Sequence, residues 1–432
     1  MRKLLRGVLR LLAVLMINKF KPGIVGVTGS VGKTSAKRAV FAVLRCYRRV
    51  RVSKGNLNNE FGFPLTILGD WSENDLNLVS RGRPPGSDRI KKAIFWFKVI
   101  VAAILKLIFY SRRAYPEVLI LEYGADRPGD LKYLLEIAKP HISIVTAVGD
   151  IPVHVEFFEN PEMVAREKEQ LVETLPATGV AILNADDPRV LKMKDRTAAH
   201  IISYGFSSEA QLKISNFNYR LDQKKNISIS FRLDYGGSFV SVNLDGLVGK
   251  GQAYAAAAGA AVGLAFGQSL IKITEALRYV KSPPHRLRLI PGIKQTTVID
   301  DSYNAAPASM RLALETIKEL KSKRKIGILG DMLEIGKYTA VAHEEAGRLA
   351  AKTVDVLVTV GPRAKFIAKA AQKNGLAKKN IFSFNKNKEA IPIVKKTLRK
   401  GDLVLVKGSR AVGLEKIVDA LEIGKRINNK SE

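Results

Sequence analysis

The sequence predicts an α/β protein: a central phosphate-loop unit with a mostly parallel sheet and an antiparallel patch, then a Rossmann-like C-terminal unit. Three observations predict it. From residue 22 onward, short apolar runs alternate with helical stretches. A glycine-rich turn, GVTGSVGKT (26–34), joins the first such run to the first such helix. A Pro-Pro pair at 283–284 then separates this series from a second one of about 150 residues, the size of a typical domain.

In chain order, IVGVTG is a strand and Lys33 to Cys46 a helix. VLILEYGA (118–125) is a buried strand, Asp130 to Ala138 a helix, HISIVTAVG (141–149) a strand, Glu162 to Leu175 a helix and GVAILNADD (179–187) a strand. Residues 210–245 alternate apolar and polar side chains around a Gly-Gly turn, which reads as antiparallel strands appended to the parallel sheet. An alanine-rich helix, AYAAAAGAAVGLAFG, follows. Beyond the Pro-Pro pair come strand TTVIDD, a helix from Pro307, strand KIGILG, a helix near 341–352, strand VDVLVTVG, another helix and strand DLVLVKG before a last helix.

Composition bounds the function. The 432 residues are 46% apolar and include one cysteine, Cys46, which excludes a disulfide framework or a Cys-based zinc site. Cys46 itself reads as a small buried apolar residue. The net charge of +31 points to nucleic acid, an anionic membrane surface or polyanionic substrates. No zinc-finger spacing, RNP aromatics or helix-turn-helix signature accompanies it, so nucleic acid is the weakest of the three.

Two segments bear on membranes. Residues 1–20 read as a basic amphipathic helix that is kept, because it runs almost directly into the first strand. Residues 89–113 place Lys91, Lys98, Lys106 and Arg113 within about 80° of one another on a helix, opposite a broad apolar face. That face can lie among anionic headgroups or pack on the protein's own core; both readings stand.

GVTGSVGKT departs from G-x-x-x-x-G-K-[ST]: position 27 is Val, and the glycine stands one residue early, at Gly26. The turn formed by Thr28, Gly29, Ser30, Val31 and Gly32 can still cradle phosphates. Lys33 would neutralise β/γ oxygens, and Thr34 can offer its hydroxyl to Mg²⁺. Glu122 ends a buried strand beside the loop, a suitable place for a second oxygen on that ion. SKGNLNNEFGFPLTIL (53–68) sets Asn56, Asn58 and Asn59 between a turn and an apolar run.

Together these blocks resemble the Mur ligase family over nearly the whole chain. The resemblance is carried by G-x-T-G-[ST]-x-G-K-[ST], GNLNNEFGFPLTIL, LEYGADRPGDL, ILNADDPRV, HRLRLIPG, IDDSYNAAPASM, ILGDMLEIG and LVKGSR. It is nearest to the branch that adds D-alanyl-D-alanine. It implies an ATP- and Mg²⁺-dependent amide ligase of peptidoglycan precursor synthesis, working through an acyl phosphate in the cytoplasm or at the inner face of the plasma membrane. It also implies site roles. His154 would help hold a second Mg²⁺, and Lys168 would be carbamylated to complete that site. Gln252, Arg286, Asp301, Tyr303 and Asn304 would meet the nucleotide. Asn56, Asn58 and Asn59, with Lys407, Ser409 and Arg410, would meet the substrates. From the residues alone, Lys168 is a helix-surface lysine, His154 is structural, and Asp300 and Asp301 cap the helix near Pro307.

Two departures qualify the pattern. The family's G-x-H-N-x-x-N at the adenine reads Gly249-Lys-Gly-Gln-Ala-Tyr-Ala255 here, with Gly251 and Ala255 for a histidine and an asparagine, while Gln252 keeps an amide. The chain also begins about 25 residues before the loop, without the usual N-terminal domain that holds a UDP-sugar. The expected organisation is thus 1–20, a central domain at 21–284 with the 89–113 insertion, and a C-terminal domain at 285–432. The expected acceptor is a UDP-muramoyl peptide or a lipid-linked muropeptide. A membrane- or nucleic-acid-binding NTPase-like module is the non-enzymatic alternative.

Overall fold

The computed structural model describes residues 2–55, 57–79, 89–221 and 227–424. Helix α1 (Arg2–Phe20) leads into β1 (Gly23–Thr28) and α2 (Lys33–Leu44), followed by β2 (Val50–Val52), α3 (Gly62–Leu68), α4 (Glu73–Val79) and α5 (Arg89–Phe109). The alternation continues through β3 (Val118–Glu122), α6 (Asp130–Leu135), β4 (Ile142–Val145), α7 (Pro161–Glu173), β5 (Val180–Asn184), α8 (Pro188–Leu191) and β6 (His200–Gly205). Three antiparallel-paired strands, β7 (Leu212–Leu221), β8 (Ile227–Tyr235) and β9 (Ser238–Asp245), precede α9 (Lys250–Ala265) and α10 (Leu270–Leu277).

The first sheet has nine strands in the order β2-β3-β1-β4-β5-β6-β7-β8-β9, parallel as far as β7. Strand β1 sits between β3 and β4, so the sheet is built outward on both sides from it. Its C-terminal end is therefore a topological switch point, where open α/β sheets leave a ligand crevice. Two sequence features explain why β1 fits there. Val27 is fully buried in the core. Gly26 has no room for a side chain: a Cβ would stand 2.9 Å from Tyr123 Cε2 and 3.2 Å from Pro140 Cβ. The displaced glycine is thus a packing residue of the strand.

The second sheet begins with β10 (Arg288–Gly292), β11 (Thr296–Asp301), α11 (Pro307–Glu319), β12 (Lys325–Gly330), α12 (Thr339–Ala351) and β13 (Val356–Val360). It closes with α13 (Lys365–Lys373), β14 (Ile381–Phe384), α14 (Asn387–Thr397), β15 (Leu403–Lys407) and α15 (Glu415–Leu421). Its order is β10-β11-β15-β12-β13-β14, with only β10 antiparallel. The last strand returns to the middle, which sets Asp301 of β11 level with Lys407 of β15.

The predicted elements are present with small shifts at their ends. Strands β2, β6, β10 and β14 carried no expectation as strands. β2 is only VRV and half-buried, so neither length nor alternation marks it. Cys46 is exposed, not buried, because it lies just past the end of α2.

Both amphipathic segments are helices. α1 buries Leu9, Leu12, Ala13, Met16 and Phe20, whose ring stacks on Tyr115 at 4.5 Å. α5 buries Phe95, Val99 and Ala103. The expected headgroup stripe is only half available. Lys106 donates to the Leu68 carbonyl at 2.8 Å and so turns into the protein, while Lys98 stays exposed but is paired with Asp75 at 3.1 Å. Among the described residues no helix is long and apolar enough to cross a membrane.

Candidate active site

The loop between β1 and α2 is held open by its own geometry. Gly29 has φ +139°, and a Cβ there would overlap Thr146 Oγ1. Thr146 in turn donates to the carbonyls of Thr28 and Val31, at 3.1 and 2.6 Å. Thr28 Oγ1 donates to the Tyr123 carbonyl. Gly32, at φ 89°, starts α2 with no side-chain cap, so the first N–H groups of the helix face the crevice without an internal acceptor. Ser30 Oγ is buried there with no hydrogen-bond partner, and Thr34 is half-buried behind it. Lys33 Nζ rests on the Gly29 carbonyl at 2.6 Å. Its burial lowers its pKa, against the pull of Glu122 and Asp126. Uncapped N–H groups, an orphan hydroxyl and a cation in one turn fit a polyphosphate.

Beneath the loop lies a buried pair that the sequence did not announce. Lys37, one turn after Lys33, places Nζ 2.8 Å from Glu122 Oε2 and also donates to Ser53 Oγ and the Gly55 carbonyl. Asn58 Nδ2 donates to the other oxygen of Glu122 at 3.1 Å. Burial pushes the Glu122 carboxyl up, but Lys37 and Lys33 outweigh it and hold it below the usual range. The neighbouring Asn59 accepts from Phe61 and Gly62 N–H and so starts α3. Asn56 lies outside the described residues.

Helix α7 begins at an Asn160 cap followed by Pro161, which fixes which of its faces meets the loop. That face carries Lys168, 2% exposed rather than on the surface. Burial, with help from the Lys33 charge, lowers the Lys168 ammonium from 10.5 to about 7, while Asp126, Glu167 and Asp130 pull it upward. Glu167 is occupied elsewhere, accepting from the N–H groups of Gly129 and Leu131 at the start of α6. His154, in the left-handed region at φ 71°, sets Nε2 3.3 Å from Asp126 and Nδ1 2.9 Å from Glu334 of the second unit. Among the described residues no group of three or more His, Cys, Asp or Glu could hold a metal ion. A carboxylate offers about four lone-pair positions, so Glu122 can keep Asn58 and Lys37 and still meet a cation that phosphate oxygens carry in.

From the loop a cleft of about 330 Å³ runs past Thr146, Gly149 and Asn184 to Tyr254, Pro307 and Arg311. Gly251 and Ala255 line it. Gln252 does not: it is buried and turned to Ser282 Oγ at 3.4 Å, so its amide serves the hinge-side packing. Tyr254, which the sequence reading passed over, faces the cleft and donates to Asp186 Oδ2 at 2.6 Å. Burial and Asp186 both raise its pKa. The only signal for it was its place in the same short segment.

The second sheet presents its own cluster to the crevice. Lys407, 1% exposed, has Nζ 2.5 Å from Asp301 Oδ2 and 3.0 Å from the Asn304 carbonyl. Burial lowers the lysine and raises the aspartate, each opposed by the partner's charge. Neither Asp300 nor Asp301 caps α11. Asp300 bonds His285 and Ser302, and the helix starts at Ala306, whose N–H donates to Ser309 Oγ. Ser409 Oγ accepts from Leu333 N–H. The Tyr303 ring lies under Arg286, 4.3 Å from its centroid, with Arg410 at 5.4 Å. The Arg286 charge acts on Lys33 and Glu122 as well as on Asp301 and Lys407, so one cation serves both halves.

A phosphate loop at the switch point of one sheet, facing a doubly wound sheet across a shared cation, defines a two-unit nucleotide-binding scaffold. Residues 102–263 match the Mur ligase middle domain, and residues 285–410 match the Mur ligase, glutamate ligase domain. A UDP-N-acetylmuramoyl-tripeptide–D-alanyl-D-alanine ligase of Mycobacterium tuberculosis is 30% identical over 421 residues, covering 92% of this chain and 72% of the relative. The chain belongs to the Mur ligase family. The MurF ligase of Thermotoga maritima, solved in complex with ADP, superposes with a TM-score of 0.76 at 25% identity, covering 96% of this chain and 83% of that one. A folylpolyglutamate synthase of M. tuberculosis complexed with ADP shares the fold at TM-score 0.65 and 16% identity, over 96% and 94% of the two chains.

Proposed function

We propose that this Mur ligase family member is an ATP- and Mg²⁺-dependent amide-bond ligase of peptidoglycan precursor synthesis. It would join D-alanyl-D-alanine to a muramoyl tripeptide. The observation that carries the reading is Lys168. A buried lysine with its pKa near 7 is about half neutral at physiological pH. Only the neutral amine adds carbon dioxide; the new N–C bond releases a proton and leaves a carbamate anion. That change replaces repulsion between Lys168 and Lys33 with attraction.

In this reading the acceptor's carboxylate oxygen takes the γ-phosphoryl group of ATP, giving an acyl phosphate and ADP. The amine of D-alanyl-D-alanine attacks the acyl carbon, the C–O bond breaks, and phosphate leaves as the amine proton is lost. Lys33 and the turn Thr28 to Gly32 would hold the phosphates, with the base and ribose along the cleft lined by Gly251, Tyr254 and Ala255. Bound Mg²⁺ would neutralise the phosphate oxygens during transfer. Thr34 and Glu122 would hold one ion, and His154 and carbamylated Lys168 a second. Lys407, Ser409 and Arg410 would orient the incoming dipeptide's carboxylate, beside Asp301, Asn304 and the Arg286–Tyr303 stack at the nucleotide.

The test is turnover. The full chain is incubated with ATP, Mg²⁺, D-alanyl-D-alanine and muramoyl tripeptides carried on UDP or on lipid. Phosphate release that requires the dipeptide, with a product of the summed mass less water, is the expected result. Release that never depends on an amine, whatever the acceptor, overturns the proposal.

A further inference from the structure

Helix α5 turns its apolar side outward. Its buried residues, Phe95, Val99 and Ala103, occupy one arc. Ile90, Ile94, Phe97, Val101, Ile104 and Ile108 fall at i, i+4, i+7, i+11, i+14 and i+18 on another arc, and all are exposed, Phe97 at 69%. On a helical wheel this second arc is about 80° wide. The neighbouring α1, which packs on α5, adds exposed Leu4, Leu11 and Leu15. Isolated exposed apolar residues are ordinary; six in register along one helix are not.

Charge identifies what covers the face. Each of α1 and α5 carries five Lys or Arg and no Asp or Glu. Of those on α5, Lys106 is turned inward and Lys98 is paired with Asp75, but Arg89 and Lys91 at its start and Arg112 and Arg113 just past its end are exposed. Two copies of such a face would set cation against cation, which disfavours self-association. A helix too polar to cross a bilayer, with an apolar arc and cationic ends, matches a lipid interface that carries negative headgroups.

We propose that α5, with α1 beside it, docks this protein on the surface of an anionic phospholipid bilayer. The arc from Ile90 to Ile108 enters the acyl boundary, and the flanking arginines and lysines sit among the phosphates. The inference rests on this surface alone and does not depend on which bond the active site makes.

Vesicle flotation of the full chain tests it. The parent is expected to float with phosphatidylglycerol-containing vesicles, to float poorly with phosphatidylcholine alone, and to lose binding as salt rises. Combined Ile94→Ser, Phe97→Ser and Ile108→Ser should weaken binding on the order of a hundredfold or more, because each change removes a large apolar side chain from lipid. These side chains are solvent-exposed, so an unchanged thermal midpoint verifies that the variant is folded. A parent that stays unbound with both vesicle types overturns the proposal. So does a folded triple variant that floats like the parent. A parent that dimerises, with only dimerisation lost in the variant, assigns the face to a second copy and overturns it as well. Amide-ligase turnover is read separately, so its absence leaves the flotation result standing.

Discussion

Lys37 and Glu122 form an ion pair of 2.8 Å in which each side chain is 2% exposed. The pair lies directly under the loop that carries Lys33, on neighbouring elements α2 and β3. It joins the helix that begins at the phosphate turn to the strand that ends beside it.

Removing one partner strands the other. Lys37→Met should destabilise the protein by about 3–5 kcal/mol, since a carboxylate would remain buried without its cation. Lys37→Met with Glu122→Gln should recover much of that loss. Urea unfolding of the parent, both single variants and the double variant gives the coupling; additive losses would contradict the pairing.

Lys168 makes stability depend on pH in a stated direction. Its folded pKa of about 7 lies below the ordinary 10.5, so between those values the unfolded chain binds more protons than the folded one. Stability attributable to this residue therefore rises with pH across that window, and the full penalty is present below about pH 7. In buffer free of carbon dioxide, Lys168→Met should flatten the rise seen between about pH 7 and about pH 9. An identical slope in parent and variant would count against the buried neutral amine.

The same residue should be required for activity. Lys168→Ala is expected to lower kcat by several orders of magnitude while leaving the fold intact, and short carboxylic acids should restore part of the rate. Bicarbonate should raise the activity of the parent and leave the alanine variant unchanged. Full activity in Lys168→Ala would remove the residue from the reaction.

Gly26 is predicted to matter for packing and not for phosphate. Gly26→Ala pushes a methyl group against Tyr123, Pro140 and Leu171 and should cost about 1–3 kcal/mol. Nucleotide affinity, measured below the lowered melting temperature, should stay within a few-fold of the parent. Gly29→Ala, with its positive φ and the overlap at Thr146, should instead abolish nucleotide binding.

Gly251 offers the opposite case. A Cβ there meets nothing nearer than Leu287 Cδ1 at 4.0 Å. Gly251→Ala should therefore stabilise α9 by about 0.5–1 kcal/mol. Calorimetry of the variant decides it, and a lower melting temperature would show that the cleft needs the glycine's freedom.

The parts of the fold with a strong local signal were legible in the sequence. The glycine turn sits between a strand and a helix, and Val27 continues that strand's apolar run, so β1, the loop and α2 followed from residues alone. Asp301 and Lys407 lie about a hundred positions apart, and only the return of β15 to the middle of its sheet brings them together. Lys37 was invisible because a lysine on a basic helix ordinarily faces water. Lys168 looked like a surface residue for the same reason, and the family resemblance supplied its role. Gln252 and Asn59 show the converse limit: an amide in a motif does not reveal which neighbour it will bond.

The stack of Arg286, Tyr303 and Arg410 has an electrostatic consequence. Two guanidinium groups meet a single ring, Arg286 over its face and Arg410 donating to its hydroxyl at 3.2 Å, so the phenol acts as a spacer between like charges. Removing the ring would leave both charges in place without the group that spaces them.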